Sequence, residues 1–255
     1  MRFRDKVVVV TGGSKGIGGG CSRLFCEEGG GVAILSRGRE AGEALAEELN
    51  EKGPGRALYL PCDVSEPSQL HDAIEEAAGQ FGRLDCLINN AGWHPPAMTI
   101  DETSLDYYDM LLRLNLVSTF AGCKFAVSHL RKTRGTIINI SSMVARLGQA
   151  RAAAYCSTKA GQLGLTRALA VDLGPEGIRV NAILPGNIDT PLMREWAATL
   201  DDPETALEQV SSLQVFGRMG SAEEVARVCL FLATEESGFL TGQLIEAEGG
   251  ASLDY

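Results

Sequence analysis

Tyr155 and Lys159 stand four residues apart at the end of the stretch Ser142–Lys159. On a helix, that spacing puts the phenol and the ammonium on one face, about one turn apart. A phenol titrates near ~10 in water, and a fixed cation beside it favours the phenolate, which moves the group toward the range of a working general acid/base. Ser142, thirteen residues before the tyrosine, could hydrogen-bond the same substrate oxygen. The spacing alone is common on helix surfaces, so its meaning depends on what the rest of the chain builds around it.

The elements that must position these residues are legible. Apolar runs recur at Val7–Val10, Val32–Leu35, Ala57–Leu60, Cys86–Ile88, Thr136–Ile140, Ile178–Leu184 and Gln243–Ala247, with helical patterns between them. The first run leads straight into Thr11-Gly12-Gly13-Ser14-Lys15-Gly16-Ile17-Gly18. Glycines at 12, 16 and 18 let the backbone turn tightly and approach a pyrophosphate at the N-terminus of the following helix. Strands alternating with helices predict an α/β fold: a single Rossmann-type doubly wound domain over residues 1–255, with a seven-stranded parallel sheet and helices on both faces. Gly19 and Gly20 prolong the glycine run at a cost of ~1 kcal/mol each against alanine, with no functional reason in the sequence.

Helix signals fill the gaps. Ser221-Ala222-Glu223-Glu224 is a capping box, and Ser65 with Pro67 marks another helix start. Leu165, Leu169 and Leu173 form an apolar stripe that Gly174-Pro175 stops, so Tyr155 and Lys159 lie at the start of a well-formed helix. Two connections exceed what the sheet needs, residues 93–135 and 187–242; the second is expected to carry a substrate lid at about 187–220, with Met193, Trp196 and a mobile acidic turn at Asp201-Asp202-Pro203.

Composition narrows the function. The 255 residues carry 23 basic and 33 acidic side chains, a formal net charge of −10, which argues against nonspecific binding to nucleic acid or anionic membrane. Seven cysteines, none in a C-x-x-C pair, read as reduced thiols of a cytosolic protein. The histidines His71, His94 and His129 are scattered, so no metal site is expected. The apolar run near the N-terminus is too short for a signal peptide, and no membrane-spanning stretch is expected.

Joined to Tyr155-x-x-x-Lys159, the glycine loop makes the chain resemble the classical short-chain dehydrogenase/reductase family. The other motifs of that family follow in order: Asp63-Val64, Asn89-Asn90-Ala91-Gly92, Asn115, Ser141-Ser142 and Pro185-Gly186-Asn187-Ile188-Asp189-Thr190. The resemblance implies a small-molecule oxidoreductase in which Tyr155 exchanges a proton with the substrate oxygen while hydride moves to or from a nicotinamide. It implies that Lys159 holds the nicotinamide ribose and depresses the tyrosine pKa, that Ser142 orients the substrate oxygen, and that Asn115 holds a relay water. Gly12, Ser14, Gly16, Ile17 and Gly18 would cradle the pyrophosphate, and Lys15 would bind the cofactor on the side of the adenosine 2′-position. Asp63 and Val64 would flank the adenine, Asn90, Ala91 and Gly92 would run beside the cofactor, and Pro185, Gly186, Ile188 and Thr190 would border the nicotinamide.

One departure matters for the cofactor. Where NAD-preferring members place a carboxylate after the second strand, this chain has Ser36-Arg37. A hydroxyl and a guanidinium suit a 2′-phosphate, so the residues favour NADP(H), with NAD(H) the alternative. Within the family the closest resemblance is to the 17-beta-hydroxysteroid dehydrogenase branch, whose substrates include 17β-hydroxysteroids and the sugar L-fucose. It places His94 and Gln149 at the substrate pocket, although a solvent-facing loop histidine and a turn-capping glutamine are equally open readings. Trp196 is read as lid packing ahead of substrate contact. A 3-oxoacyl thioester reductase and a non-catalytic dinucleotide-binding regulator are the alternative functions. A homotetramer, built on the long helices flanking the fifth strand, is expected from the resemblance, with Tyr255 reaching a neighbouring site.

Overall fold

The computed structural model describes residues 1–253, so the expectation for Tyr255 lies outside the described residues. The apolar runs form strands where the sequence predicts them. In chain order these are β1 (Val7–Thr11), β2 (Gly31–Ser36), β3 (Arg56–Pro61), β4 (Cys86–Asn89), β5 (Thr136–Ile140), β6 (Arg179–Pro185), the two-residue β7 (Ile188–Asp189) and β8 (Gly220–Ser221), and β9 (Leu244–Ala247). Seven of them make one parallel sheet in the order β3-β2-β1-β4-β5-β6-β9, while β7 and β8 pair separately. Burial explains the continuous apolar pattern: Val8, Val10, Ile34, Ile88 and Ile138 face one core, and Val9, Leu35, Leu87 and Ile137 face the other.

Helices cover both faces: α1 (Gly16–Glu27), α2 (Arg39–Lys52), α3 (Pro67–Phe81), α4 (Leu105–Leu112), α5 (Ser118–Thr133), α6 (Val144–Leu147), α7 (Ala153–Leu173), α8 (Pro191–Ala197), α9 (Pro203–Ser212) and α10 (Ala222–Ala233). The strand order reverses between β1 and β4, so the loops after these two strands open a crevice at the carboxyl ends of the sheet. That crevice is where the candidate residues gather.

Several expectations change. Gly20 has a packing reason: a Cβ there would lie 2.9 Å from the backbone of Ala222, so α1 and α10 approach through it. Ser65 does not cap α3; its hydroxyl donates to Asp63 at 2.7 Å, and Pro67 alone marks the start. Ser221 does form its capping box with Glu224. At the Asp201-Asp202-Pro203 turn, Asp202 accepts from the Thr205 amide at 3.1 Å and caps α9. The helical run Leu105–Thr133 is long and apolar enough by length and composition to cross a membrane. Here it packs through Leu111, Ala126 and Leu130 into the protein interior, as the core helix of a globular fold does. On α7 the leucine stripe is only half-buried at Leu165 and Leu169; the innermost face carries Tyr155, Thr158, Lys159, Gln162 and Thr166 instead.

Candidate active site

The glycine loop is shaped as a cradle. Gly12 and Gly16 have φ of +64° and +53°, a region side chains disfavour. A Cβ on Gly18 would fall 2.3 Å from the Gly12 carbonyl oxygen and 2.5 Å from Asn90 Nδ2, which excludes any larger residue. Helix α1 starts with no side-chain cap and no acidic residue in its first turn, so its free N–H groups are left for an anion. Asn90 acts by holding this loop: its amide donates to the Thr11 and Gly12 carbonyls at 2.9 and 3.2 Å. Thr11 completes the clasp, its hydroxyl accepting from the Asn90 and Ala91 amides at 3.0 Å each.

The phenol of Tyr155 is 8% exposed, against Leu111, Val144 and Ala152. Burial pushes its pKa up to about 12, and a hydrogen bond with Ser142 offsets part of that rise. Among the groups that shift it, Ser142 and not Lys159 supplies the lowering. Lys159 is itself buried, and burial brings its pKa down to about 8. Its Nζ donates to the Ile140 carbonyl at 2.9 Å and lies 5.9 Å from the Tyr155 ring centroid. Ser141, the neighbour of Ser142, turns away and donates to the Lys159 carbonyl at 2.9 Å, which leaves Ser142 as the serine at the phenol.

Asn115 is fully buried in a one-turn π-helical segment, Arg113–Val117, between α4 and α5. Such bulges turn a side chain away from the regular helical direction. Its Oδ1 accepts from the Trp93 amide at 2.9 Å, while Nδ2 donates to the Trp93 carbonyl at 3.0 Å and to Thr158 at 3.2 Å. Its own carbonyl accepts from Gln162 at 2.6 Å and from Thr119 at 3.0 Å. These contacts make Asn115 a pin between the loop after β4, the bulge and α7, and occupy much of the capacity a relay water would need. A Cβ on Gly92 would lie 3.1 Å from Asn115 Oδ1 and 3.3 Å from Lys159 Nζ, so the loop passes closely between them.

His94 and Gln149 meet. The imidazole lies over Tyr155 with ring centroids 4.3 Å apart, its Nε2 3.1 Å from Gln149 Oε1 and its Nδ1 2.8 Å from the Pro95 carbonyl. The loops bearing them are tied again where Met98 donates to the Arg151 carbonyl at 2.7 Å and Arg151 pairs with Glu102 at 3.1 Å. Trp196 on α8 is 41% exposed, and its ring makes no hydrogen bond among the described residues. Thr190 caps α8 by accepting from the Met193 amide at 3.3 Å, and a Cβ on Gly16 would meet it at 3.5 Å, so the glycine loop and α8 face each other. Pro185 and Ile188 are buried beside them, and a Cβ on Gly186 would strike Glu248 at 2.8 Å.

At the far end of the crevice, the buried Ser36 hydroxyl has no hydrogen-bond partner. Arg37 beside it is 73% exposed and 3.9 Å from Asp63. Burial works to raise the Asp63 pKa, but hydrogen bonds from Ser65 and the charge of Arg37 hold it below the usual range. Val64 is buried. An unsatisfied buried hydroxyl next to an open guanidinium fits a bound polar group, as a glycine cradle fits a diphosphate.

Sequence reasoning misses Thr11, Trp93, Thr158 and Gln162 because they act by holding other residues. The one hint is polarity on the interior face of α7, visible once that face is known.

Cradle, tyrosine, lysine and serine in one crevice define an oxidoreductase that works on a nicotinamide dinucleotide. A family model described as enoyl-(acyl carrier protein) reductase matches residues 12–252. The chain belongs to the classical short-chain dehydrogenase/reductase family. It is 44% identical over 254 residues to an L-fucose dehydrogenase of Bos taurus, covering 100% of this chain and 92% of that protein. Among solved structures, levodione reductase superposes with a TM-score of 0.95 at 30% identity over all of both chains. Aldohexose dehydrogenase of Thermoplasma acidophilum gives 0.89 at 32%, covering 99% of this chain and 96% of that one.

Proposed function

We propose that the chain oxidises a hydroxyl of a sugar such as L-fucose, passing hydride to NADP+, with reduction of the matching carbonyl as the reverse. The observation that carries this reading is the polar pair His94–Gln149, whose imidazole lies tilted against the Tyr155 ring and which suits a substrate with several hydroxyls. The likeness to the bovine L-fucose dehydrogenase across the whole chain supports it. A panel of aldoses, steroids and simple alcohols, run with both cofactors, tests it: turnover of steroids but of no sugar would overturn it. The exposed Leu192, Trp196 and Leu200 favour one second reading, a 17β-hydroxysteroid, in line with stretches resembling 17-beta-hydroxysteroid dehydrogenase type 14.

The reading assigns a role to each residue. In oxidation the deprotonated Tyr155 takes the hydroxyl proton of the substrate, Ser142 holds the same oxygen, and the carbon loses hydride. When bound, an oxidised nicotinamide would supply the hydride acceptor and a positive charge. Gly12, Ser14, Gly16, Ile17 and Gly18 would hold the diphosphate, Lys15, Ser36 and Arg37 the adenosine ribose and its 2′-phosphate, and Asp63 and Val64 the adenine. Asn90, Ala91, Gly92, Lys159, Pro185, Gly186, Ile188 and Thr190 would hold the nicotinamide half. The absence of an acidic residue at Ser36-Arg37 supports NADP(H) over NAD(H). Residues 187–220, with α8 and α9, would close over the substrate as a lid.

Assembly and compartment belong to the same reading. Leu116, Val117, Phe120, Gly161 and Leu165 form an open apolar groove between α5 and α7, with Phe120 54% exposed. A second copy of the chain would cover it in a homotetramer, which light scattering tests. Seven free thiols fit the cytosol.

A further inference from the structure

Gln162 is fully buried on α7, and the two ends of its amide fare differently. Its Nε2 donates to the Asn115 carbonyl at 2.6 Å and to the Thr119 hydroxyl at 2.9 Å, and Thr119 donates in turn to the same carbonyl at 3.0 Å. Its Oε1 has no hydrogen-bond partner. Turning the amide over would set that oxygen against the Asn115 carbonyl, acceptor on acceptor, so the nitrogen is the end that faces the π-helical turn. As packing alone this is a poor choice, because an apolar side chain of the same length would leave no orphan oxygen. The amide is explained by what it grips.

In that turn the backbone register slips by one residue, with the Ser118 amide bonding back to the Arg113 carbonyl. Tyr155, Thr158, Lys159 and Gln162 fall at i, i+3, i+4 and i+7, so all four share the inner face of α7. Among the described residues two hydrogen bonds join that face to the turn: Gln162 to the Asn115 carbonyl and, longer at 3.2 Å, Asn115 Nδ2 to Thr158. The loop after β4 threads between the two elements at Gly92, where a Cβ would lie 3.1 Å from Asn115 Oδ1 and 3.3 Å from Lys159 Nζ. There is little slack. A shift of α7 along the turn therefore changes the gap between that loop and the phenol and ammonium.

We infer that Gln162 is a positioning residue for the hydride transfer: through the main-chain carbonyl of Asn115 it sets α7, and with it Tyr155 and Lys159, against the loop after β4. It acts through Asn115 and not on the substrate. The inference rests on the dehydrogenase chemistry of the site and holds for whichever alcohol is oxidised.

The test compares Gln162→Met, which keeps the length and removes the donor, with Gln162→Glu, which keeps a donor only while its carboxyl is protonated. Each is assayed with the cofactor and alcohol that the wild type turns over best, per active site counted by fluorescence titration with cofactor. In Gln162→Met, kcat is expected to fall about 10- to 100-fold, the range a small misplacement of reacting groups costs, with KM and cofactor affinity within about threefold of the wild type. In Gln162→Glu, the ratio of variant to wild-type kcat should be highest at low pH and fall through one ionisation as the pH rises, since only the protonated carboxyl can donate to the Asn115 carbonyl. Taking the ratio removes the ionisations of Tyr155 and Lys159, the titratable groups on the same face, which both enzymes share. A residue that merely fills space would lower the thermal midpoint and leave kcat per site unchanged. Wild-type kcat in Gln162→Met, a loss shared equally by cofactor affinity, or a Gln162→Glu profile parallel to the wild type would overturn the inference. If Gln162→Glu does not fold, Gln162→Met decides alone. An enzyme that turns over no sugar fails the sugar reading and leaves this test intact, because any alcohol of the panel serves.

Discussion

The ammonium of Lys159 stands 5.9 Å from the Tyr155 ring centroid and spends its hydrogen bond on the Ile140 carbonyl at 2.9 Å. Both groups are buried, and burial disfavours the charged form of each, so the phenol rises to about 12 and the ammonium falls to about 8. The free site is thus a poor base. In the proposed mechanism the second cation arrives with the oxidised cofactor.

That arrangement predicts a silent tyrosine. The ultraviolet difference between the wild type and Tyr155→Phe, without cofactor, should show no phenolate from residue 155 until the pH approaches about 12. A phenolate signal near neutrality would mean that Lys159 already ionises it. The same variant should lose turnover while binding cofactor with nearly unchanged affinity, as measured by fluorescence titration.

Lys159 also sets a pH dependence of stability. Its folded pKa, about 8, lies below its ordinary 10.5, so between those values the unfolded chain binds the extra proton. Stability from this group therefore rises as pH climbs from 8 to 10.5, and below 8 the buried charge is a constant cost. Urea unfolding of the cofactor-free wild type and Lys159→Met should diverge across that window in favour of the wild type, on the order of 3 kcal/mol. Parallel curves would refute the assignment.

Much of this site is written in local sequence, and the rest is not. Gly12, Gly16 and Gly18 are legible because a backbone that turns into a helix beside an anion needs them at that spacing. The strands are legible because a sheet covered on both faces leaves no polar side to alternate. Asn115 shows only its identity; its function as a pin depends on Trp93, 22 residues earlier, and on Thr158 and Gln162, 43 and 47 residues later. The leucine stripe of α7 shows only part of its face. Apolar periodicity cannot reveal that the first turns of this helix meet a polar bulge, while Ala170 and Leu173 further along join a core.

The pin can be pulled. Asn115→Ala would strand the Trp93 amide and carbonyl, both bonded to its side chain, and would take one bond from the Thr158 hydroxyl, which keeps its own to the Tyr155 carbonyl. Unpaired buried groups cost about 1–3 kcal/mol each, partly recovered by water, so a net loss of roughly 2–4 kcal/mol is expected from denaturant unfolding. The loop carrying His94 would loosen with it, and kcat should fall further than cofactor affinity.

Two helical glycines separate close approach from simple tolerance. Gly79 in α3 has open space where a Cβ would go, so Gly79→Ala should stabilise by about 0.5–1 kcal/mol through helix propensity. Gly20 meets the Ala222 backbone at 2.9 Å, so Gly20→Ala must push α1 from α10 and should cost about 1–3 kcal/mol. Thermal midpoints moving in opposite directions would bear this out; equal gains would mean the two helices can part freely.

In the proposed NADP(H) reading, cofactor choice turns on the buried Ser36 hydroxyl and the open Arg37 guanidinium. A 2′-phosphate gives the hydroxyl an acceptor and the guanidinium a charge partner, whereas a 2′-hydroxyl gives only the first. Arg37→Ala removes the charge and relieves Asp63 of its neighbour, so the ratio of kcat/KM for NADP+ over NAD+ should fall by about 10- to 100-fold, the range one charge-assisted hydrogen bond supplies. Ser36→Ala should lower catalysis with both cofactors, because either ribose substituent can bond that hydroxyl. If the wild type prefers NAD+, or if Arg37→Ala leaves the ratio in place, the guanidinium is a solvated charge and the Ser36 hydroxyl alone faces the ribose.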